Sequence, residues 1–131
     1  MKTALVIDDD IFFCNLLTDI LENLDLRVAS YTSPERFLYQ LEADNCPASL
    51  ICPDFILTDN QMPGMNGLEF LARIKSMGCT LPDYRIGIIS GRWEEVDIET
   101  ANSLGCQVFD KYNSPGKIQS WVEETRKSTY R

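Results

Sequence analysis

The sequence predicts an α/β fold in which five strand–helix units alternate and a parallel sheet is covered by helices on both sides. Two observations carry this. Short runs rich in Val, Ile and Phe lack the in–out alternation of a sheet with one wet face, as strands covered on both faces do. Between them, apolar residues recur at the three-and-four spacing of a helix face, mostly behind capping residues.

The elements follow in chain order. "TALVI" (3–7) reads as the first strand, and Phe13, Leu16, Leu17, Ile20, Leu21 and Leu24 mark one face of the helix after it. "RVASY" (27–31) is less apolar, as an edge strand is. Ser33-Pro34-Glu35 opens a second helix, with Ser33 as N-cap and Pro34 in the first turn. "ADNCPASLICP" (43–53) is expected as a surface loop before the strand "FILT" (55–58). Met62-Pro63-Gly64 forces a turn, Asn66-Gly67-Leu68-Glu69 resembles a capping box, and Gly78 stops that helix. "RIGII" (85–89) is the fourth strand. "EEVDIETANSLG" has only a weak stripe through Val96, Ala101 and Leu104 to Gly105, with several poor helix formers. "QVFD" (107–110) is the fifth strand, and Ser114-Pro115 opens a last helix with Ile118, Trp121, Val122 and Thr125 on one face. No repeat or linker interrupts the pattern, so residues 1–131 are expected to form a single domain, the last few being a tail or the start of a linker.

Composition narrows the chemistry. A hydrophobic share of 44% and a charged share of 24% are ordinary for a soluble chain, and no apolar run reaches the length of a membrane span. The start "MKTALVIDDD" meets acid too early for a signal peptide, which leads to an expected cytoplasmic location. A net charge of −8 argues against direct nucleic-acid binding and is compatible with a cation site. The five cysteines (Cys14, Cys46, Cys52, Cys79, Cys106) form no C-x-x-C pair and read as reduced packing thiols. Trp93, Trp121, Met62 and Met65 likewise read as packing residues, and Trp93 lies in the loop after Ser90, a position from which it could sense site occupancy. There is no histidine. That removes the usual Ser-His-Asp and Cys-His nucleophiles, the common zinc sites and histidine as general base.

In an open parallel sheet, ligands bind outside the carboxyl ends of the strands. Asp8-Asp9-Asp10 stands at the first such end, Asp59 at the third, Ser90-Gly91 at the fourth and Asp110-Lys111 at the fifth. Carboxylates crowded together need a counter-charge, and magnesium, or manganese in its place, suits oxygen ligands of this kind. A phosphoryl donor held there would lie in line with Asp59, and aspartyl phosphate is a recognised covalent intermediate. Lys111 and Ser90 are placed to bind the equatorial oxygens, whose charge must be spread during transfer.

These residues resemble the receiver domain of two-component response regulators over essentially the whole chain. The family pattern is an acidic pair after strand one, an Asp after strand three followed by x-x-M-P-x-M-x-G, a Thr or Ser after strand four and a Lys after strand five. Here it reads Asp8-Asp9, "DNQMPGMNG" from Asp59, Ser90 and Lys111. The resemblance implies a flavodoxin-like, doubly wound sheet of order 2-1-3-4-5. It implies a switch in which Asp59 accepts a phosphoryl group from a histidine kinase or phosphotransfer protein. It makes Asp9 and Asp59 direct magnesium ligands, gives Asp8 a role largely through water, and has Gln61 offer its backbone carbonyl. Asp10 falls where the family varies. Ser90 and Lys111 would respond to the phosphate, altering a partner-binding surface of helix four, strand five and helix five for an output partner, in a monomer or a weak dimer.

Three positions are expected to modulate the switch. Arg92, like Gln61, flanks the site where the family tunes dephosphorylation. Tyr112 replaces the proline that usually follows the lysine. Val108 stands where the family carries an aromatic switch residue, while Phe109 is expected on the opposite side of the strand. Two other readings compete: a degenerate receiver that binds partners without phosphorylation, and a phosphatase resembling the haloacid dehalogenase group, with Asp8-x-Asp10 as its D-x-D motif and Asp8 as nucleophile.

Overall fold

Strands β1 (Thr3–Ile7), β2 (Arg27–Tyr31), β3 (Phe55–Asp59), β4 (Ile86–Ser90) and β5 (Gln107–Asp110) form one parallel sheet of order β2-β1-β3-β4-β5. Helices α1 (Ile11–Glu22), α2 (Pro34–Ala43), α3 (Gly67–Ser76), α4 (Glu95–Ser103) and α5 (Pro115–Ser128) connect and follow them. This computed structural model describes residues 2–43, 53–91, 95–111 and 115–128. The fold is the flavodoxin-like one that the resemblance implies, and β2 lies at the sheet edge, as its weaker apolarity predicts.

Because successive strand residues point to opposite faces, each strand feeds two cores. Ala4 and Val6 of β1, Phe55 and Leu57 of β3, and Ile89 of β4 pack with Cys14, Leu17 and Leu21 of α1 and Ile118, Trp121 and Val122 of α5. Leu5, Ile7, Ile56, Ile86 and Ile88 pack on the other face with Leu38 and Leu41 of α2, Phe70, Leu71 and Ile74 of α3, and Ala101 of α4. β1, β3 and β4 are thereby buried almost throughout, which is why their sequences read as continuous apolar runs.

The caps act as the sequence predicts. Ser33 Oγ accepts from the Arg36 N–H at 3.3 Å, and Asn66 and Glu69 close a reciprocal capping box on α3. Gly78 follows α3 with φ +100°, the left-handed stop that only glycine adopts cheaply. Other details differ. α1 buries Cys14, Leu17 and Leu21, and Leu16 is exposed; the predicted face included Leu16 because apolarity alone does not distinguish the centre of a stripe from its margin. β4 begins one residue later than predicted because Arg85 closes a short 3-10 turn, Asp83–Arg85. Cys14 and Cys106 are buried free thiols, but Cys79 is disulfide-bonded, against the expectation of reduced cysteines throughout; a bridge is set by tertiary proximity, for which sequence spacing carries no signal. Most of the expected 43–53 loop, with Cys46 and Cys52, lies outside the described residues, as do Arg92, Trp93, Tyr112 and Ser114.

Candidate functional site

The parallel register brings the predicted residues to one edge. Ile7 pairs with Thr58, so Asp8, just past β1, and Asp59, the last residue of β3, stand side by side at neighbouring strand ends. Asp59 pairs with Ile89 and Ser90 with Asp110, which places Lys111 one residue beyond the ladder on the far side. Two backbone bonds tie these ends together: the Asn60 N–H donates to the Ile89 carbonyl at 2.8 Å, and the Lys111 N–H to the Ser90 carbonyl at 3.0 Å.

At the centre, the Lys111 ammonium donates to Asp8 Oδ1 and to Asp59 Oδ2, each at 3.3 Å. Asp8 is fully buried, Asp59 is 2% exposed, and Ser90 is fully buried at the end of β4, whereas Asp9 and Gln61 face solvent. The Gln61 N–H donates to Asp59 Oδ1 at 3.2 Å, and the Asp10 N–H to Asp8 Oδ1 at 2.9 Å. Burial raises the pKa of Asp59 to about 6; the Asp8 charge adds to the rise, and Lys111 with the Gln61 N–H opposes it. Burial likewise raises Asp8, against the Asp10 N–H and Lys111. For Lys111, burial is the largest influence and lowers its pKa, but the Asp59 and Asp8 charges together more than offset it, so the ammonium is held above its ordinary value.

Asp8, Asp9 and Asp59 each offer a carboxylate oxygen within 4.8 Å of the others, and Asp8 Oδ2 is buried without a hydrogen-bond partner among the described residues. An all-oxygen set with an orphaned, buried carboxylate oxygen fits a hard divalent cation. Asp10 does something else. Its Oδ1 accepts from the Phe12 N–H at 3.0 Å and the Phe13 N–H at 3.4 Å, so the third acid of the cluster is the N-cap of α1. An Asp immediately before a helical stripe was the available signal for that role.

The turn after Asp59 is held from both sides. The Gly67 N–H and the Leu68 N–H donate to the Asn60 carbonyl and side-chain oxygen at 3.1 and 3.2 Å. A Cβ on Gly67 would lie 2.7 Å from the Asp59 carbonyl oxygen and 3.0 Å from the Asn60 Cα. Only glycine lets the start of α3 press against the backbone of Asp59. Met62 and Met65 pack against the core beneath α2 and α3, as expected of packing residues. On β5, Val108 packs toward the α2–α3–α4 side, and Phe109 lies in the opposite core with its ring 5.4 Å from that of Trp121, as the strand alternation predicts.

With this geometry in place, the comparisons with known proteins are specific. The response regulator receiver domain matches residues 4–122, and the chain belongs to that family. It is similar to a protein-glutamate methylesterase/protein-glutamine glutaminase of Treponema denticola, 28% identical over 110 residues, which is 82% of this chain but only 28% of that protein's length. Among solved structures, the N-terminal domain of an uncharacterized Wolinella succinogenes protein superposes with a TM-score of 0.80 at 28% identity, covering 99% of this chain and 98% of that one. A response regulator receiver domain protein from Clostridium thermocellum gives a TM-score of 0.78 at 19% identity, with both chains covered in full, a likeness of fold. Among the described residues no helix is long and apolar enough to cross a membrane.

Proposed function

We propose that this receiver domain is a phosphorylation-driven switch in which Asp59 is the phosphoryl acceptor. The observation that carries the reading is the buried Asp8–Lys111–Asp59 constellation, with one ammonium midway between two carboxylates at the open edge of a parallel sheet. An Asp59 oxygen forms the new bond to phosphorus as the bond to the donor breaks, and for a phosphohistidine donor the imidazole leaves with the electron pair and takes up a proton. Lys111 supplies positive charge where the phosphoryl oxygens arrive, and the Ser90 hydroxyl donates to one of them. Asp8, Asp9, Asp59 and the Gln61 carbonyl would hold a magnesium ion, which when bound offsets the charge of the carboxylates and of the incoming phosphoryl oxygens.

Membership of the family supports a histidine kinase or phosphotransfer protein as the donor, and the proposed switch works in the cytoplasm. Its output would pass through the α4–β5–α5 surface, where Val108 in place of an aromatic requires a transmission different from a ring rotation. Incubation with acetyl phosphate and magnesium tests the chemistry by intact mass. The expected result is the gain of one phosphoryl group in the wild type, none in Asp59→Asn, and a slower gain in Asp8→Asn. An unmodified wild type, or an Asp59→Asn that labels normally, would refute the proposal.

A further inference from the structure

Phe13 has no part in the chemistry above, yet its ring is the surface against which the Lys111 ammonium rests. Lys111 Nζ lies 4.8 Å from the ring centroid, while its two carboxylate partners stand at 3.3 Å. The lysine side chain is only 14% exposed, so this is a mostly dry contact in which the negative face of the ring meets a cation. The ring itself is half-buried and packs against the core shared by α1 and α5. Its backbone is fixed by the Asp10 cap, and the Asp10 N–H is in turn bound to Asp8. A continuous set of contacts therefore runs from Asp8 through Asp10 and Phe13 to Lys111, two ends of a chain separated by 103 residues.

We propose that Phe13 is a positioning residue for phosphoryl acceptance at Asp59, its π face holding the Lys111 ammonium at the mouth of the site. This rests on the reading that Lys111 serves phosphoryl transfer. A lysine head is a compact charge on a flexible stem, and in this site two carboxylates compete for it. When a phosphoryl group joins Asp59, the ammonium must pass from a carboxylate oxygen to a phosphoryl oxygen. Hydrogen bonds are directional and break along that path, whereas attraction to a ring face is broad and persists during a small slide. An aliphatic side chain of similar size would fill the space without that attraction.

Replacing Phe13 by phenylalanines with one, two and three ring fluorines tests this, since fluorine drains the π face while leaving the shape nearly unchanged. The phosphorylation rate with acetyl phosphate and magnesium is expected to fall stepwise, by roughly threefold to tenfold across the series, with urea midpoints falling only slightly and each protein fully folded under the assay conditions. Phe13→Trp should keep the wild-type rate and Phe13→Leu should match the trifluoro protein. In proton spectra, the Lys111 methylene next to Nζ should be shifted upfield by the ring in the wild type and return to its ordinary position in Phe13→Leu. A flat fluorine series on a wild type that does accept phosphate overturns this proposal alone. A wild type that takes up no phosphoryl group overturns the reading of the site and this proposal with it.

Discussion

Asp59 and Asp8 are carboxylates that the fold takes out of water and sets beside each other, with one ammonium to answer both. The consequence has a definite sign. In the metal-free protein the Asp59 pKa is about 6, against 3.8 for an ordinary carboxyl. Below pH 3.8 both folded and unfolded chains hold the proton and burial costs nothing through ionisation. Between these values the unfolded chain ionises first, so this group's contribution to stability is lost as pH rises toward about 6 and stays lost above it. Asp59→Asn removes the ionisation. In chelator, its stability relative to wild type is expected to climb from about pH 4 to about pH 6 and then level off at a gain of roughly 1–3 kcal/mol; urea midpoints across that range check it. Lys111→Met should do the reverse at neutral pH, lowering the urea midpoint by stranding two buried carboxylates, a loss of roughly 2–4 kcal/mol. It should also slow phosphorylation at least about tenfold. Asp8, Asp59 and Lys111 were legible in sequence because each stands at or just past a strand's carboxyl end, and strand ends converge by topology. The Phe13 contact with Lys111 was not, since a ring and a cation brought together by tertiary packing leave no spacing signal.

At the scale of elements, α3 is the part that aims the site. Its capping box and stop were readable because caps are local chemistry: Asn66 with Glu69, then Gly78. Asn66→Ala should cost about 1 kcal/mol of stability, read by urea unfolding, with little change in phosphorylation rate. Gly67 is different. The sequence placed it inside the capping motif, but its role is the close approach to Asp59 and Asn60, which depends on two elements meeting. Gly67→Ala should cost roughly 1–3 kcal/mol as overpacking pushes α3 from the strand end. Because the shift acts on the Asp59 backbone, it should slow phosphorylation as well, and an unchanged rate in the Gly67→Ala protein would contradict that placement. The predicted face of α1 erred at Leu16 for the complementary reason, since the burial of a helix margin is decided by the neighbouring helix.

Across the whole molecule, the sheet separates two cores and leaves one edge where charge collects, and that division explains what the strand runs revealed so early. A parallel sheet buried on both faces, with acids and a lysine only at strand ends, has few alternatives. How the proposed α4–β5–α5 surface is switched was less legible, because Val108 stands where the family carries its aromatic switch residue. Magnesium binding should stabilise the whole fold, by about 2.7 kcal/mol at a concentration roughly a hundredfold above its dissociation constant. Asp9→Asn should remove most of that gain in thermal unfolding while leaving the metal-free stability nearly unchanged, since Asp9 faces solvent.

The central claim is that the phosphoryl group goes to Asp59, and borohydride trapping tests it most directly. Reduction of an aspartyl phosphate leaves homoserine, which peptide mass spectrometry locates to a single residue. After treatment with acetyl phosphate and magnesium, homoserine is expected in place of Asp59 and nowhere else. Homoserine in place of Asp8 would transfer the nucleophile to the other buried carboxylate and contradict the account.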